Sequence, residues 1–163
     1  MSKNICYLFY GDKIDTNWVA WYMFVKQLFN SYNLEVSHLG IASESFKSGK
    51  IVTTKRKEKT LISKLNEGEV PRCIECYSLL EDFRIAMFDY KMLCIRTEKF
   101  IAIVFKEEYL GIIDEKNILE MKEYINFSDG EVFSTDIKEV PLLYAYAKNA
   151  NGLETYKFIK TIK

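Results

Sequence analysis

An α+β fold built mainly on an antiparallel sheet is the class this sequence predicts, and three observations carry the prediction. Residues 73–105 change to a period-two apolar pattern broken by short charged turns, the mark of a meander. Ahead of them stands a strand-helix-strand unit, and further helical patterns flank the meander. Eleven Phe, eleven Tyr and two Trp against seven Gly and two Pro supply an aromatic core, and 163 residues is the size of one domain, so residues 1–163 are expected to form a single unit.

Residues 5–10 (ICYLFY) read as a strand ended by Gly11. Asp15 is expected to cap a helix whose apolar residues Trp18, Trp21, Val25, Leu28 and Tyr32 recur at helical spacing. Residues 34–41 read as a second strand with Leu34, Val36 and His38 on one side. A weakly amphipathic helix follows over 53–66, carried by Leu61, Ile62 and Leu65 and stopped by Gly68 and Pro71. The meander is expected at 74–79, 83–88, 92–96 and 100–105, the last run apolar throughout and so covered on both faces. Asp114 should cap a helix reaching residue 127, with Ile118, Met121 and Ile125 inward, and two apolar segments close the chain at 142–147 and 156–162.

Composition removes functions more readily than it assigns them. The single histidine, His38, excludes paired-histidine zinc sites and two-histidine acid/base pairs, so no catalytic residue, metal or cofactor is expected and the protein is read as a non-enzyme. Cys73 and Cys76 have the spacing of a zinc or redox pair, but no second close pair exists, and two thiols carried to the core by a strand is the simpler reading. Lone Gly11 is no phosphate-binding fingerprint, and Ser43, Ser45 and Ser48 lack the elbow that exposes a nucleophile.

Charge is zero overall but unevenly spread. Between residues 47 and 64, Lys47, Lys50, Lys55, Arg56, Lys57, Lys59 and Lys64 face only Glu58, with Phe46 the one nearby ring; a nucleic-acid-binding module using this stretch is the alternative reading. Between 107 and 139 ten acids face three lysines, a field suited to steering a basic partner. The longest apolar stretch, 18–25, is far short of the roughly 20 residues of a membrane span, and the N-terminal residues lack the pattern of a secretory signal, so a cytoplasmic protein with no membrane partner is expected.

Phe9-Tyr10-Gly11 leading to an aromatic helix, Leu65-Asn66-Glu67-Gly68, and the terminal Gly152-Leu153-Glu154-Thr155-Tyr156 together resemble bacterial polymorphic-toxin immunity proteins, nearest to the immunity protein 52 family. The resemblance implies an inhibitor that binds and neutralises a cognate toxin protein, often a nuclease, with no catalytic residues of its own. The partner-binding rim expected here is Glu107, Glu108, Asp114, Glu115, Glu120, Glu123, Asp129 and Glu131, with exposed aromatics as anchors.

Overall fold

The computed structural model describes residues 2–147 and 153–163; Gly152 lies outside the described residues. It holds one sheet of eight antiparallel strands. In chain order these are β1 (Lys3–Lys13), β2 (His38–Ala42), β3 (Ile51–Thr53), β4 (Cys73–Leu79), β5 (Tyr90–Thr97), β6 (Phe100–Lys106), β7 (Ile125–Asp136) and β8 (Lys157–Ile162). Their order across the sheet is β3-β2-β4-β5-β6-β1-β7-β8, so β4, β5 and β6 are the expected meander and β1 sits between β6 and β7. The α+β class with a mainly antiparallel sheet is as the sequence predicts.

Strand alternation divides the core in two. On the first face Tyr7, Phe9, Leu39, Cys94, Ile103 and Val132 meet α1 (Trp18–Ser31), α2 (Thr54–Asn66) and α3 (Glu115–Leu119). On the second, Leu8, Tyr10, Leu93, Val104 and Phe133 meet the short helix α4 (Leu142–Ala147) and the loop carrying Phe83 and Met87. The all-apolar run of β6 is central and buried on both sides. Among the described residues no helix is long and apolar enough to cross a membrane.

Several local expectations are corrected. Asn17, in the left-handed region at φ 63°, and not Asp15, stands at the N-cap position of α1 and makes no side-chain cap bond; the Arg96 guanidinium takes the carbonyls of Ile14, Thr16 and Asn17 and holds the entry loop to that point. Gly11 does not end β1. It lies at a register shift against β7, where an added Cβ would stand 2.0 Å from Asn126 O. Residues 83–88 are a turn and not a strand, since the Asp89 carboxylate accepts the N–H groups of Arg84 and Ile85. The helix expected to run to residue 127 stops at Leu119; a 3-10 turn over Glu120–Tyr124 leads into β7, the second neighbour of β1. Its cap is Asp114, as expected, accepting Lys116 N at 3.1 Å.

Candidate functional site

The residues from which chemistry was sought are tied into the fold. His38 shares its strand with Leu39 and Ile41 but points to the face opposite theirs, so it is not grouped with Leu34 and Val36 as alternation over 34–41 suggested; only residues 38–42 are strand. Its ring lies edge-on to Phe83 at 4.9 Å with Nδ1 2.9 Å from Ser37 Oγ, and burial lowers its pKa. Cys73 and Cys76 are three apart on β4 and therefore project to opposite faces, Cys76 lying opposite Cys94 on the first face and Cys73 beside the second. One metal or one disulfide cannot join them. Among the described residues no group of three His, Cys, Asp or Glu is placed to hold a metal ion. Ser43 and Ser45 both donate to Glu69, which fastens their loop to the end of α2.

The basic stretch is surface without a stacking platform. Lys47, Lys50, Lys55, Arg56 and Lys59 are exposed, Glu58 accepts from Tyr22 at 2.6 Å and from Lys26 at 2.8 Å, and the ring of Phe46 packs against the core.

The eight acids expected to form one rim do not share one face. Glu131 accepts from Tyr144 at 2.7 Å and from Tyr156, on the second face, and Asp129 lies opposite Tyr10 on that same side. Glu115 accepts from Tyr7 at 2.6 Å and from Lys160 at 2.6 Å, and these two donors pull its pKa down. Such a carboxylate is committed to the fold. Glu107, Glu108, Asp114, Glu120 and Glu123 remain exposed, on a segment that leaves the end of β6 and returns to the start of β7 alongside α1. Met121 takes the Trp21 Nε1–H at 3.3 Å and Tyr124 stacks on Phe24 at 5.8 Å, which seats the segment on that helix.

Within this segment the turn over 107–114 carries a feature that acidity alone did not show. Tyr109 and Ile113 pack inward against the core, while Leu110 and Ile112 are 47% and 56% exposed. Leu110 N donates to Glu107 O at 3.0 Å, Ile112 N to Tyr109 O at 3.1 Å, and Tyr32 Oη accepts Asp114 N at 3.2 Å, so the turn is held at both ends. The anchors beside the acids are therefore aliphatic. The most exposed aromatics, Tyr146 and Phe158, stand on α4 and β8.

Sequence reasoning also missed Lys106. It follows Ala102 and Val104 at period two, so it projects to the second face, and the alternation of a strand read as 100–105 would have placed it there had it been extended one residue. It borders a cavity of about 580 Å³, whose walls include Leu80, Phe88, Tyr90 and Ile137. A second cavity of about 610 Å³ opens at the opposite end of the strands, between Tyr10, Phe100 and Tyr146. No family model, curated protein or solved structure matches the chain.

Proposed function

We propose that this chain is an immunity protein, a cytoplasmic inhibitor that binds a cognate bacterial toxin and occludes its active site without chemistry of its own. The observation that carries the reading is the 107–114 turn, where two exposed aliphatic side chains, Leu110 and Ile112, sit among Glu107, Glu108 and Asp114 on a backbone fixed by Tyr32 and Tyr109. Apolar anchors inside a charged rim are the anatomy of a protein-binding patch, and a turn already held in place loses little entropy on docking. Glu120 and Glu123 extend the negative field along α1, which suits a toxin whose catalytic cleft is basic, as in a nuclease. The resemblance to toxin immunity proteins supports the same reading.

Co-expression with the protein encoded immediately upstream in the source genome tests it. Growth rescue together with co-purification is expected; toxicity that persists with no complex would remove that protein as the target. Glu120→Lys with Glu123→Lys should slow association about tenfold at low salt and little at high salt. Salt-insensitive binding that ignores both changes would place the contact on another surface.

A further inference from the structure

We propose that the cavity beside Lys106 is a binding site for a small monocarboxylate with an apolar body, a function independent of the partner reading above. Lys106 ends β6, and its ammonium has three N–H donors. Asn4 Oδ1 accepts at 2.9 Å and Phe88 O at 3.3 Å, leaving one donor without an acceptor among the described residues. The Tyr90 ring lies 4.0 Å from the nitrogen, a cation–π contact that helps fix the head group. Asn4 is itself immobilised, because its Nδ2 lies 3.2 Å from each of Thr135 Oγ1, Asp136 O and Glu139 O. The amine is thus positioned by a buried network before any ligand arrives.

The surroundings select the ligand class. The one donor that has no oxygen acceptor, with only the Tyr90 face beside it, matches one carboxylate oxygen. Asp89 and Glu108 also border the cavity and their field disfavours a phosphate dianion, while Lys91 and Lys138 lie at the same opening and offset them enough for a monoanion. Asp89 Oδ2 accepts Arg84 N at 2.8 Å and Ile85 N at 2.9 Å, and among the described residues the Asp89 carboxylate makes no ion pair with Lys106, so its field reaches the amine without taking the third donor. Leu80, Phe88 and Ile137 leave an apolar wall for the rest of the molecule. At about 580 Å³ the cavity falls within the roughly 300–1,000 Å³ of small-molecule sites.

The test titrates octanoate and its neutral isostere octanamide into isotopically labelled protein and follows backbone amide shifts by NMR. Octanoate should move the amides of Phe88, Tyr90 and Ile137 and bind at least about tenfold tighter than octanamide, the worth of one charge-assisted hydrogen bond. Lys106→Met should remove that preference, and Lys106→Arg should keep part of it. Burial lowers the Lys106 pKa to about 8, and Tyr90, raised by its own burial, stays neutral beside it. Octanoate affinity should therefore fall about tenfold between pH 7 and pH 9 while octanamide stays flat. Equal affinity for acid and amide, absence of octanoate shifts, or binding that survives Lys106→Met unchanged would overturn the proposal. Should Lys106→Met fail to fold, the acid/amide pair and the pH series on the wild-type protein still decide it.

Discussion

Arg96 and Lys106 are two inward-facing cations on the adjacent strands β5 and β6, placed on opposite faces and at opposite ends of the strand pair. Neither makes an ion pair with a carboxylate among the described residues. Arg96 is 1% exposed and its guanidinium is consumed locally: Ile14 O, Thr16 O and Asn17 O accept at 2.8, 3.1 and 3.3 Å, and the Trp18 ring stacks on it at 3.9 Å. Burial lowers its pKa to about 10, so it remains charged at neutral pH. Lys106 is half-buried, with two acceptors for three donors and a cavity beside it. A cation whose donors end on backbone carbonyls holds a loop in shape; one left a donor beside empty volume is poised to bind. The same contrast separates the two faces, since among the described residues the first is roofed by three helices and the second by one short helix and a loop.

The largest expected effect of breaking this comparison is at Arg96. Arg96→Met should cost about 3–4 kcal/mol, because three carbonyls of the loop before α1 lose their donor in a buried site. Urea unfolding measures it, and a cost below about 1 kcal/mol would deny the loop-holding role. Next is Glu131→Gln, which weakens the acceptor shared by Tyr144 and Tyr156 under α4 and should cost about 1 kcal/mol in the same assay. Smallest, and opposite in sign, is the pH response of Lys106. Its folded pKa lies below the unfolded value of about 10.4, so between about pH 8 and 10 the unfolded chain binds more protons at this site and stability contributed there rises with pH. Comparing wild type with Lys106→Met over that window isolates the site; an identical pH slope would show that the amine is not desolvated.

What was legible in the sequence follows from how much of each element is local. Strands of the meander carry their own alternation, and α1 announces itself through Trp18, Trp21, Val25 and Leu28. Strand β7 does not. Its Ser128, Asp129 and Gly130 interrupt the period at the register shift beside Gly11, and Ile118, Met121 and Ile125 imitate a helical stripe across a helix, a 3-10 turn and the first strand residue. Pairing with β1, which no short window reveals, decides the outcome. Residues 83–88 misled in the reverse direction: apolar alternation was present, but a local carboxylate, Asp89, accepts the N–H groups of Arg84 and Ile85 five and four residues back and closes the segment into a turn.

The site was legible as charge and illegible as geometry. Ten acids between 107 and 139 are countable, yet the sequence could not show that Glu115 and Glu131 are engaged by tyrosines on opposite faces. Nor could it show that Leu110 and Ile112 point outward while Tyr109 and Ile113 point in, because a turn has no fixed side-chain period.

The most direct measurement on the proposed binding surface is toxin rescue by Leu110→Asp/Ile112→Asp, read beside the thermal midpoint of the same variant. Both side chains are about half exposed, so the midpoint should stay within about 2 °C of wild type, while rescue and co-purification are lost. Full rescue by a folded double variant would contradict the proposal that the 107–114 turn is a toxin-binding surface.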